Sequence, residues 1–156
     1  MQKLNLPEYS FNIKNENDKY KIFDEFRKKY VALTPEEWVR QNFLKWLTKE
    51  KKYPLSLISV EGGLRYNKLH KRSDAVIYDR NAKPAMIIEF KAPSVEIGSE
   101  TVKQILSYNS SVNAPFIVVT NGINHYCLKR DNINRKFNFL EDIPDFESLL
   151  IDIKNI

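Results

Sequence analysis

Two apolar runs split by one polar interruption stand out in the middle of the chain. Ala75-Val76-Ile77-Tyr78 and Pro84-Ala85-Met86-Ile87-Ile88 are rich in strand formers, and Asp79-Arg80-Asn81-Ala82-Lys83 between them has turn composition. The stretch predicts a β-hairpin. Helical periodicity is clearest from Pro35 to about Lys51, where Val39, Phe43, Trp46 and Leu47 form one stripe. Thr34 is a fitting N-cap, Pro35 suits the first helical position and Glu37 completes a capping box. By helical phase, Glu36 lies at the edge of the stripe and Glu37 points about 100° away. Glu37 is then a cap, and Glu36 is aimed toward the sheet.

The rest of the pattern adds further elements. Ser10 to Lys14 and Tyr20 to Ile22 alternate around Asn15-Glu16-Asn17-Asp18, which predicts an amino-terminal hairpin. A helix over residues 18–30 is its rival, because Ile22, Phe23 and Phe26 also suit helical spacing. Leu57 to Glu61 and Leu64 to Tyr66 read as a strand interrupted by a bulge at Gly62-Gly63. A helix is expected from Ser99 to Ser110, then a second hairpin turning at Asn121-Gly122 and a last helix near Asp145 to Ile153. The sum is α/β: a mixed sheet of four or five strands flanked by helices. No repeat or low-complexity linker divides the chain. One domain is expected over 1–156, with a hairpin and lead-in to 33, a core over 34–130 and a helical segment from 131.

Composition narrows the function classes. Of 156 residues 42% are hydrophobic and 12% aromatic, which is globular and not disordered. The longest apolar runs are too short to span a bilayer, and the amino terminus has no signal-peptide core. The single cysteine, Cys127, excludes an internal disulfide and fits a reducing cytoplasm. Its place between Tyr126 and Leu128 in an expected strand makes it a packing residue. A formal charge of +5 permits a nucleic-acid partner. The basic loop from Asn67 to Arg72 would offer Lys68, Lys71 and Arg72 to a phosphate backbone, contacts that give affinity without sequence choice. His70 and Glu61 read as solvated.

Candidate chemistry follows from the central hairpin. Folded about Asn81, it sets Asp74 roughly opposite Glu89 on one face, and period two puts Lys91 there too. Charge inside an apolar run is costly unless paired. Two carboxylates suit a hard cation such as Mg²⁺, with Mn²⁺ able to substitute, and Glu36 is a candidate third ligand. A lysine beside them can steady developing negative charge. Those parts describe metal-assisted hydrolysis of a phosphodiester.

Asp74 with Glu89-x-Lys91 resembles the PD-(D/E)xK nuclease signature, with Ser73 where the signature has proline. The surrounding text is similar to the N-terminal nuclease domain of type I restriction enzyme R subunits: Thr34-Pro35-Glu36-Glu37-Trp38-Val39-Arg40-Gln41, Arg72-Ser73-Asp74, Ile88-Glu89-Phe90-Lys91-Ala92-Pro93, Gln104-x-x-x-Tyr108 and Thr120-Asn121-Gly122, in the family's order. The resemblance implies a restriction-endonuclease-like fold and Mg²⁺-dependent DNA cleavage. It also implies that Gln104 and Tyr108 lie beside the metal and hold substrate, with Gln104 part of the catalytic set. The structural alternative is Tyr108 on the apolar side with Ile105, and Gln104 facing solvent. R subunits continue into an ATP-driven translocase, whose GxxxxGK[ST] phosphate loop does not occur here. Expected partners are DNA, separate motor, specificity or methyltransferase subunits, and a second copy. The alternatives are a silent binding module of the same fold and a nuclease acting on RNA.

Overall fold

The computed structural model describes residues 1–60 and 74–156. The strand expected at 64–66 and its glycine bulge lie outside them. The chain opens with a small antiparallel sheet, β1 (Ile13–Glu16), β2 (Lys19–Asp24) and β3 (Lys29–Ala32), in the order β1-β2-β3. Asn17 and Asp18 take φ of 53° and 64°, the backbone of a two-residue turn that matches strand twist. The expected hairpin is therefore present, with a third strand in place of the rival helix. Asp24 decides this: its Oδ1 accepts from the Phe26 N–H at 2.9 Å and its carbonyl from the Lys28 N–H at 2.8 Å, closing a turn where the helix would have run.

Helix α1 (Pro35–Lys49) follows, capped by Thr34 Oγ1, which accepts from the Glu37 N–H at 3.0 Å. A 3₁₀ turn (Leu55–Leu57) leads into β4 (Ile58–Val60), β5 (Ala75–Tyr78) and β6 (Pro84–Phe90). Then come α2 (Ser99–Val112), β7 (Phe116–Thr120), β8 (His125–Asp131), β9 (Lys136–Leu140) and α3 (Phe146–Lys154). The main sheet runs β4-β5-β6-β7-β8-β9; β6 and β7 are parallel, joined through α2, and the other neighbours are antiparallel. The architecture is the expected α/β mixed sheet, wider by β9.

Strand β6 sits in the middle and is buried on both faces. Met86, Ile88 and Phe90 enter the larger core with Phe43 and Leu47 of α1 and Phe146 and Leu149 of α3. Ile87 enters the smaller core with Ile105 of α2, Ile117 and Val119. Each large side chain taken from water contributes about 1.5–3 kcal/mol, so this strand anchors both layers. Its hairpin with β5 closes at the predicted polar turn, where Asp79 Oδ1 accepts from the N–H groups of Asn81 (2.8 Å) and Lys83 (3.0 Å). Among the described residues no helix is long and apolar enough to cross a membrane.

Candidate active site

The carboxyl ends of parallel strands in α/β sheets are where ligands gather, and here β6 ends in Glu89-Phe90 followed by Lys91. The last ladder pair of the β5–β6 hairpin is Ala75↔Ile88, so Asp74 is one step beyond it beside Glu89. Val76↔Ile87 lies on the α2 face, and period two carries Asp74 and Glu89 to that same face. Past the ladder, Asp74 takes over the acceptor's role with its side chain: the Phe90 N–H donates to Asp74 Oδ2 at 2.7 Å. The Asp74 N–H donates to Ile88 O at 3.1 Å, so the residue is held by both backbone and side chain.

Charge is crowded at this point. Burial, and after it the Glu89 carboxylate, push the Asp74 carboxyl up to about 7, against the lowering pull of the Phe90 N–H. Glu36 adds to the rise and Arg40 offsets it. Lys91 Nζ lies 3.4 Å from Glu89 Oε1, both side chains partly open to solvent at 29% and 24% exposure. The Lys91 N–H donates to Thr120 O at 2.9 Å, which ties this end of β6 to β7. An acidic pair with one amine at its rim, reachable from solvent, can bind a cation and present positive charge beside it. The oxygen donors fit a hard divalent ion. Among the described residues, no group of three or more His, Cys, Asp or Glu side chains is arranged to hold a metal.

The two acids at the start of α1 correct the helical-phase argument. Glu36 is exposed, and Glu37 is the buried one. Glu37 Oε1 accepts from Arg27 Nη2 (2.9 Å) and Arg40 Nη2 (2.6 Å), and Oε2 from Gln41 Nε2 (2.8 Å). Thr34 caps the Glu37 N–H as expected, but the reciprocal half of a capping box is not made. The Thr34 N–H donates to Ala32 O at 3.1 Å. The partner that draws Glu37 inward is Arg27, from the β2–β3 turn, which also bonds Asp24. Arg40 pairs here with Glu37, not with Glu36, and its charge still lowers the Asp74 carboxyl.

Two further residues support the site beside the expected set. Arg40 is one. Asn121 is the other: its Nδ2 donates to Val95 O at 2.9 Å, fixing the loop that leaves Lys91, and its Oδ1 accepts from the N–H groups of Ile123 and Asn124. Their signal was position, Arg40 one turn beyond Glu36 and Asn121 inside Thr120-Asn121-Gly122. His125 is structural. Its Nε2 donates to Asn5 O at 3.0 Å, so Nδ1 is the acceptor for the Thr120 hydroxyl at 2.7 Å, and burial lowers its basicity. Cys127 is buried, with its thiol pushed up to about 12, which removes it as a nucleophile.

Helix α2 matches the structural alternative in its packing: Gln104 is exposed, and Tyr108 is half-buried against the smaller core with Ile105. Lys68, Lys71 and Arg72, with His70 and Glu61, lie outside the described residues.

Residues 35–144 match the family model described as type I restriction enzyme R protein N terminus (HSDR_N). No curated protein matches. Among solved structures, the chain is similar to one described as a fragment of an HsdR subunit of a type I restriction enzyme from Vibrio vulnificus YJ016. The two are 21% identical with a TM-score of 0.40, over 64% of this chain and 19% of that one. The chain thus spans about a fifth of that relative's length.

Proposed function

The chain belongs to the type I restriction enzyme R protein N-terminus family, and from that premise we propose that it is a divalent-metal-dependent DNA endonuclease. The observation that carries the proposal is the juxtaposition of Asp74 and Glu89 at the end of β6, with Lys91 Nζ 3.4 Å from Glu89. Asp74 and Glu89 would hold Mg²⁺ or Mn²⁺, and the exposed Glu36 is a further acid whose charge is felt at Asp74. The ion, when bound, supplies a Lewis acid and a water that loses its proton near neutral pH.

The chain's own residues do the rest. The Phe90 N–H fixes the Asp74 carboxylate, so the donor pair is oriented before substrate arrives. Lys91 sets a positive charge beside that pair, where the negative charge of phosphodiester attack would develop. Gln104 and Tyr108 would line the approach of the strand, and the basic loop with Lys68, Lys71 and Arg72 would meet its backbone. Nothing in this machinery reads bases, so sequence choice would come from partner subunits, together with any motor. A second copy would be needed for paired nicks in both strands.

The test is nicking of supercoiled plasmid in Mg²⁺ or Mn²⁺. Cutting by the wild-type chain, lost in Lys91→Ala and in EDTA, supports the proposal. Equal cutting by Lys91→Ala would remove that residue from the mechanism, and no cutting with either metal would leave a binding module of the same fold.

A further inference from the structure

The small amino-terminal sheet lies outside the segment matched to the family, and it carries a charge pattern that its folding does not require. Lys14 stands directly opposite Lys21 across β1 and β2, an arrangement of like charges that costs stability. Glu16 sits between them, 3.2 Å from Lys14 Nζ and 3.6 Å from Lys21 Nζ, and pairs across the strands with Lys19. Paired residues share a face and alternate residues return to it. Lys14, Glu16, Lys19, Lys21, Phe23 and Tyr30 therefore share one side. The other side holds Ile22, which is fully buried, so the lysine side faces out.

Aromatic rings are interleaved with these amines: Lys14 Nζ is 4.2 Å above the Tyr30 ring, and Tyr30 packs edge-on against Phe23 at 5.3 Å. Residues 13–32 contain five lysines. Of their acids, Asp24 is matched by Arg27 and Glu25 by Lys45, which leaves Glu16 and Asp18. The face is also rigidly mounted. Arg27 links Asp24 to Glu37, and Glu37 holds Arg40, whose charge acts on Asp74.

We propose that this lysine–tyrosine face is a platform for the phosphate backbone of DNA, gripping the strand at a fixed distance from the acidic site. The choice of DNA rests on the nuclease reading; the anionic, regularly charged character of the partner rests on the sheet itself.

Binding of a short fluorescent duplex to the full chain in EDTA, where no cutting occurs, tests it. Lys14→Gln, Lys19→Gln and Lys21→Gln are combined in one variant, all three being surface changes whose folding is checked by circular dichroism. Losing three phosphate contacts lowers the salt slope by about 2.7. Between about 50 and 200 mM salt the wild type should then lose about fortyfold more affinity than the variant. Glu16→Gln, which frees both flanking amines, should tighten binding. An unchanged salt slope in the triple variant would overturn the platform, and so would competition by polyglutamate as effective as by DNA, which would point to an acidic protein. A wild type that cuts plasmid while the triple variant keeps its slope sinks the platform alone. A wild type that never cuts while the slope falls sinks the nuclease reading alone.

Discussion

Replacing Asp74 by asparagine should make the protein more stable at alkaline pH, the reverse of what loss of a buried, hydrogen-bonded acid usually does. The folded Asp74 carboxyl titrates near 7, against 3.8 for the ordinary group, because burial and the Glu89 charge both oppose its ionisation. The unfolded chain therefore releases this proton first. Stability contributed by the protonated form is complete below about pH 4, declines as pH rises toward 7 and is flat beyond. Just over three pKa units at 1.36 kcal/mol each set an upper bound of about 4 kcal/mol on the loss. Asparagine keeps an oxygen for the Phe90 N–H, now 2.7 Å from Asp74 Oδ2, and carries no charge.

Urea unfolding from pH 4.5 to 8.5 in EDTA measures this directly. The wild-type stability should fall relative to Asp74→Asn across that range. Added Mg²⁺ should restore the wild type at pH 8 and leave the variant unmoved, because a ligand stabilises only the state that binds it. Wild type and variant curves that run parallel in EDTA would refute the reasoning, since the carboxyl would then be ionised at no cost.

Other perturbations probe the scaffold. Glu37→Ala should cost about 3–5 kcal/mol in urea unfolding, because it removes the buried partner of Arg40 and leaves Arg27 to Asp24. Gly122→Ala should cost about 1–3 kcal/mol by the same measure. Gly122 has φ of +85°, and an added Cβ would lie 2.8 Å from Leu4 Cδ2. Glu89→Gln should lower the plasmid-nicking rate by at least about a hundredfold, while duplex affinity in EDTA holds.

Short-range chemistry was the legible part of this chain. The Asp79 to Lys83 turn closes on its own Asp79 side chain, and α1 starts just after Thr34 because that hydroxyl caps the Glu37 N–H three residues on. The approach of Asp74 to Glu89 was legible only roughly: the five-residue turn pairs Tyr78 with Pro84 and by itself would bring Asp74 opposite Ile88, and a register shift between Ile77 and Tyr78 carries it on to Glu89. What was missed depended on distant partners. Glu37, Gln41 and Asn42 are buried with the apolar stripe of α1, and only the arrival of Arg27 from another element makes the Glu37 carboxylate tolerable there. Strand β9 was overlooked although Lys136-Phe137-Asn138-Phe139 alternates, because its ladder partners on β8 supply the pairing that a sequence window does not reveal. β3 likewise took its form from pairing with β2 and the Asp24 turn.

On the proposed mechanism Asp74 and Glu89 share one divalent ion beside Lys91. Crystals soaked in Mn²⁺ and read by anomalous diffraction put that claim to the test. The expected result is a single peak at about 2.0–2.2 Å from an oxygen of each carboxylate, absent in Asp74→Asn. A strong peak bound elsewhere, with none between these two side chains, would contradict it.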